Sequence, residues 1–192
     1  GTSHQNQQSL GLALEKEITG GLARSEIFVC GRIHKCKDRE QLRQDLEMLL
    51  SELRLQYVDV LIADCPPELV PAAWPYFEEV VREGRARYLG VSNFDLLGPK
   101  VCVEVFRKFL SRTKIPPAVM ALEVHPLNSN VEMCELCDTI GIQVLAYSPL
   151  GSPGKVECFM NVLTKSDARE LRPLLKVPDL EQLQQIAERH AK

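Results

Sequence analysis

Along the stretch VDVLIADCP, nearly all apolar residues of strand-like character run from Val58 to Ala63 and stop at Asp64 and Cys65, ahead of Pro66 and Pro67. A carboxylate at the tip of a buried strand needs either a partner or a use, so Asp64 is a candidate for acid–base work or for an ion pair. Polar residues gather in the same way at the ends of other apolar runs: Arg32 with His34, Ser92 with Asn93, Glu123 with His125, and Tyr147 with Ser148. A guanidinium, imidazoles, carboxylates, hydroxyls and an amide are the groups that move protons or fix a polar ligand. Cys134 and Cys137 form a CxxC, but with no second pair and no His at metal spacing they are expected to be two reduced thiols on a helix, and no metal site is expected. GxGxxG, GxxxxGK and HExxH do not occur.

The elements that must position these groups alternate. DREQLRQDLEMLLSELRL has Asp38 as an N-cap, Gln41 three positions on, and Leu42, Leu46, Leu49, Leu50 and Leu53 on one face. PKVCVEVFRKFL and DLEQLQQIAERHAK carry the same helical period, the latter with Leu180, Leu183, Ile186 and Ala187 as its stripe. LGLALEKEITGG, AAWPYFEEVVREG and NVEMCELCDTIG are shorter helices, each closed by glycine, the residue that best tolerates a left-handed cap. Between them, EIFVCGRI, VDVLIAD, RYLGVSN, AVMALEV and IQVLAY are apolar and rich in β-branched residues. Such strands separated by helices indicate parallel βαβ units covered on both faces, so the class is α/β. In a βα barrel or a doubly wound sheet, sites form at the C-terminal strand ends, which is where the polar residues fall.

Composition excludes several functions. At 192 residues, 45% hydrophobic and 26% charged, the chain has the make-up of one globular domain. A net charge of -3 with scattered Lys and Arg gives no basic footprint for nucleic acid or an anionic membrane. No apolar run reaches bilayer length, and GTSHQNQQ lacks the parts of a secretory signal. Seven cysteines without framework spacing suggest reduced thiols in a cytoplasmic compartment rather than a disulfide scaffold.

GRARYLGVSNF resembles a characteristic segment of the aldo-keto reductases. ALEVHPL is similar to that family's E-x-H-P segment, VLAYSPLGSPG to its seventh-strand motif, and SEIFVCGRI and LRLQYVDVLIADCP to its third and fourth strands, all in family order. The resemblance spans 1–192 as a single NADP-dependent oxidoreductase-like domain and implies a parallel (β/α)8 TIM-type barrel that reduces carbonyls with NADPH. That barrel normally takes about 250 residues. NQQSLGLALEKEI aligns with the family's second helix and LEQLQQIAERHAK with the helix before strand eight. Strands three to seven are therefore expected, in an incomplete barrel whose first two strands and eighth strand lie outside the chain.

Family chemistry rests on a Tyr proton donor, a Lys that lowers its pKa, an Asp that holds the Lys, and a His that orients the carbonyl. By the resemblance, His4 falls at the Tyr position, Arg32 at the Lys position and Asp64 at the His position, while the Asp position lies outside the chain. Arg32 stays protonated and its fork favours a carboxylate. Asp64 sets a negative charge where a carbonyl oxygen would gain electron density. The expected use of the two is mutual pairing, and Glu123 and His125 are expected to tie down loops. The cofactor side is closer to the family pattern. Ser92 and Asn93 match the residues that hydrogen-bond the nicotinamide carboxamide, Tyr147 the aromatic that stacks on its ring, and Ser148, Leu150 and Ser152 the run along the ribose and pyrophosphate. Ala121 replaces the Gln that completes the carboxamide contacts, and the segment that grips the 2'-phosphate is absent, so NADPH or NADP is expected to bind weakly.

These readings lead to a catalytically impaired relative, a pseudoenzyme with a residual nicotinamide site, as the expected function. The alternative is an active NADPH-dependent oxidoreductase acting on a small-molecule carbonyl substrate. Open edges at strands three and seven would call for a partner chain or rearranged elements to cover them.

Overall fold

Five parallel strands and five helices alternate through the chain in a computed structural model that describes residues 6–125 and 128–149. The helices are α1 (Gln7–Thr19), α2 (Arg39–Leu53), α3 (Val70–Arg82), α4 (Pro99–Leu110) and α5 (Val131–Thr139). The strands are β1 (Cys30–Ile33), β2 (Val58–Ala63), β3 (Ala86–Ser92), β4 (Val119–Glu123) and β5 (Gln143–Tyr147), and they form one sheet in the order β1-β2-β3-β4-β5. Sequential order with a helix in each connection is the pattern of consecutive βα units in a TIM-type barrel, as the resemblance implied.

The chain divides into two compact units. The first takes its described residues from 6–122 and 130–145, the second from 123–129 and 146–149.

In the first unit, the apolar runs become the core. All six residues of β2 are buried, as a strand flanked on both sides requires. The leucine stripe of α2, Leu42, Leu46, Leu49, Leu50 and Leu53, is buried, and Asp38 caps that helix by accepting the Gln41 N–H at 2.9 Å. Phe94, Phe106 and Phe109 form an aromatic cluster with ring centroids 5.1 to 6.0 Å apart, and Trp74 meets Phe109 edge-on at 5.0 Å.

Two local expectations are corrected. Of EIFVCGRI only Cys30–Ile33 is strand: Arg24–Glu26 forms a 3-10 turn and the Val29 N–H turns to the Asp59 carboxylate at 2.8 Å, while the Val29 carbonyl still accepts the Asp59 and Val60 N–H groups. β5, last in the sheet order among the described residues, is not buried like β2: Gln143, Leu145 and Ala146 are exposed. The glycine ends stand as expected: Gly21, Gly84 and Gly141 lie at positive φ after α1, α3 and α5. The helix DLEQLQQIAERHAK lies outside the described residues.

Candidate functional site

Strand alternation places Arg32 and His34 on one side of the chain as it leaves β1. The register pairs Ile33 with Ala63, and the Asp64 N–H extends the ladder by donating to the Ile33 carbonyl at 2.8 Å. Asp64 is thereby fixed at the tip of β2, within reach of both side chains. Arg32 Nη1 and His34 Nδ1 each lie 3.2 Å from Asp64 Oδ2. From the end of β3, Asn93 Nδ2 donates to Asp64 Oδ1 at 2.9 Å, and Asn93 adopts the left-handed region with φ of 67°. Pairing of Arg32 with Asp64 was expected; the contributions of His34 and Asn93 were not.

Burial by itself would push the Asp64 carboxyl upward. The His34 hydrogen bond, the Arg32 charge and the Asn93 amide outweigh it and hold the group well below the usual carboxylate range. Asp64 is therefore an acceptor at neutral pH, which assigns the hydrogen on His34 to Nδ1. His34 Nε2 is buried and meets no hydrogen-bond partner among the described residues. The spacing of two between Arg32 and His34 was the signal that both reach one carboxylate.

Ser92, the last residue of β3, is fully buried, and its Oγ is also unpartnered among the described residues. Its neighbour in register, Ala121, is likewise fully buried and has no polar side-chain atom to offer. A buried hydroxyl left without a partner is costly unless something polar fills its place. The residues present thus fit one end of an amide such as the nicotinamide carboxamide. Ser92 supplies the donor and acceptor, while the Asn93 amide nitrogen is committed to Asp64 and Ala121 contributes no hydrogen bond.

In the second unit, His125 Nε2 lies 3.7 Å from Glu123 Oε1. The His125 and Asn128 main chains bond reciprocally, and Asn128 Nδ2 donates to the Glu123 carbonyl at 3.2 Å. The Tyr147 carbonyl accepts the Val124 N–H at 3.3 Å, and Ser148 has φ of 49°. His4, Leu150 and Ser152 lie outside the described residues.

Two cysteines overturn the expectation of thiols throughout. Cys36 and Cys65 are joined in a disulfide with Cα atoms 6.0 Å apart. They are 29 residues apart in sequence, and only the pairing of β1 with β2 brings them together. Cys134 and Cys137 are both thiols on α5, and burial pushes the Cys137 thiol up to about 11. Among the described residues no cluster of His, Cys, Asp and Glu could hold a metal ion, and no helix is long and apolar enough to cross a membrane.

Among curated relatives, the chain is similar to aldo-keto reductase family 4 member C11 of Arabidopsis thaliana, with 31% identity over 167 residues, covering 78% of this chain and 51% of the relative. It is also similar to aldose reductase B of Dictyostelium discoideum, with 28% identity, covering 86% of this chain and 60% of the relative. The chain thus spans between half and two thirds of the length of these relatives. Among solved structures, a Bombyx mori aldo-keto reductase in complex with NADP superposes with a TM-score of 0.67 at 24% identity, covering 84% of this chain and 59% of that one. The aldose reductase from Schistosoma japonicum superposes with a TM-score of 0.66 at 24% identity, covering 84% and 60%. At these identities the likeness to solved structures is one of fold. The sequence model of the family matches residues 2–192, essentially the whole chain, and on that match the chain belongs to the aldo/keto reductase family.

Proposed function

We propose that this chain is a reductase relative whose carbonyl-reducing chemistry is impaired and which keeps a weak nicotinamide-recognising edge. The observation that carries the reading is the Asp64 carboxylate, held ionised by Arg32, His34 and Asn93 at the strand ends where the family orients a carbonyl. A fixed anion there repels the oxygen that gains charge during reduction, and it occupies the Arg32 guanidinium that would otherwise stabilise that oxygen. A bound reduced nicotinamide would supply hydride. Ser92, and Asn93 through its remaining hydrogen-bonding capacity, would receive the carboxamide, with Tyr147, Ser148, Leu150 and Ser152 as the further contacts the family pattern suggests. The purified chain should show only weak binding of NADPH by calorimetry and no NADPH-dependent reduction of model aldehydes. Turnover that disappears in Tyr147→Ala would overturn this reading.

One observation favours a second reading, an active oxidoreductase on small carbonyl compounds. Asp64 engages His34 at Nδ1, and Nε2 is unpartnered among the described residues, so His34 in its imidazolium form would carry an Nε2 proton that can pass to a developing alkoxide. Under that reading, reduction is measurable and His34→Gln lowers kcat without raising KM for the aldehyde. Absence of turnover in the wild-type chain removes it.

A further inference from the structure

The Cys36–Cys65 bridge stands beside the charged site without taking part in it. Cys36 lies two residues beyond His34, and Cys65 directly follows Asp64. The disulfide therefore ties together the same two loops whose side chains meet in the His34–Asp64 hydrogen bond. Both residues are nearly inaccessible, Cys36 at 4% and Cys65 at 2%. Cys36, however, lines an open groove of about 160 Å³ beside the start of α2, walled by Lys37, Arg39, Leu42, Ala73 and Tyr76. Cys65 does not line it. A small thiol thus has an approach to one residue of the pair.

We infer that Cys36–Cys65 is a thiol–disulfide exchange site that takes a low-molecular-weight thiol at Cys36 and couples its redox state to the Asp64 network. A thiolate RS⁻ attacks Sγ of Cys36 and forms a Cys36–S–S–R mixed disulfide. The Cys36–Cys65 bond breaks, and its electron pair leaves on Cys65 as a thiolate. A second RS⁻ attacks the R sulfur, releasing RSSR and the Cys36 thiolate, and solvent protonates both. Two RSH are oxidised to RSSR while the protein disulfide gains two electrons. A disulfide RSSR drives the same steps backward. Where a pool of such a thiol and its disulfide is present, the bridge would respond to its poise. Once the bridge opens, the Asp64 N–H still holds the Ile33 carbonyl, but the covalent tie between the segments that follow is gone, and the constraint that keeps His34 on Asp64 is relaxed.

The test is a titration of the wild-type chain with mixtures of glutathione and glutathione disulfide, followed by acid quench, alkylation and peptide mass mapping. The linked Cys36–Cys65 peptide should be lost and regained about one midpoint. The ¹⁵N signal of the Asn93 side-chain amide should move with that same midpoint. Cys65→Ser, exposed to glutathione disulfide, should gain one glutathione at Cys36, several-fold more than Cys36→Ser gains at Cys65. Cys30, an exposed thiol, gives the background level in each variant. Absence of the linked peptide in protein equilibrated with glutathione disulfide alone overturns the site, as does a preference for Cys65. Interconversion of the peptide with the Asn93 signal unmoved overturns the coupling. If the serine variants do not fold, the wild-type titration still decides both points. None of these readings depends on whether a nicotinamide binds.

Discussion

Asn93 reaches Asp64 from a left-handed backbone: its φ is 67°, and its amide nitrogen lies 2.9 Å from Asp64 Oδ1. Two contributions are superimposed at this position, and substitutions separate them. Asn93→Ala removes a hydrogen bond to a charged group, about 2 kcal/mol, and also replaces a residue that tolerates the left-handed region by one that does not, at a cost of about 1 kcal/mol. Asn93→Gly removes only the hydrogen bond. Urea unfolding should find glycine the milder change; equal losses would mean that the left-handed backbone adds nothing.

The acid limb of stability should depend on Asp64. Its carboxyl is depressed in the folded chain below the ordinary value of 3.8. A depressed acid contributes stability that is complete above the unfolded value and disappears as pH falls below it through the still lower folded value. The stability difference between the wild-type chain and Asp64→Asn should therefore stay level from about pH 7 to about pH 5 and shrink below about pH 4. A difference that does not change with pH would show that the ionised form is not what the network holds.

Asp59 is the most deeply buried carboxylate of the first unit, at 1% exposure. It accepts from Arg24 at 2.9 Å, from the Val29 N–H at 2.8 Å and from Arg87 at 3.2 Å, and both arginines lie over the Tyr57 ring. Asp59→Ala strands Arg24, which is itself mostly buried, and should cost about 3 to 5 kcal/mol. Thermal unfolding checks this. Adding Arg24→Met should recover part of the loss, because the unpaired charge is removed with its partner.

Gly11 lies mid-helix in α1, where alanine would favour an isolated helix by about 1 kcal/mol. In the folded chain a Cβ at Gly11 would run into the Glu52 carbonyl oxygen on α2. The clash is with main chain and cannot be relieved by a rotamer change, so Gly11→Ala should destabilise by roughly 1 to 3 kcal/mol. A stabilising substitution would mean that α1 and α2 do not approach so closely.

The local pattern carried much of this. Asp38 at the start of α2, its leucine stripe and the fully buried β2 follow from period and capping alone. The meeting of Arg32 with Asp64 was legible because both end apolar runs that parallel pairing aligns. The Cys36–Cys65 bridge was hidden by its 29-residue separation, because only strand register determines which cysteines become neighbours. Asp59 was hidden too: a single charge within an apolar run gives no sign of the arginines that will satisfy it. The late start of β1 followed from the same residue, since the carboxylate that binds the Val29 N–H comes from a different strand.

Arg32, His34 and Asn93 converge on a carboxylate that is attached to the main chain by a single methylene. Shortened by Asp64→Gly, the protein would present an empty socket whose donors still face a common point. Formate or acetate should enter it and restore thermal stability in proportion to concentration, with no such effect on the wild-type chain. The end of β2 would then have become a receptor for free carboxylic acids.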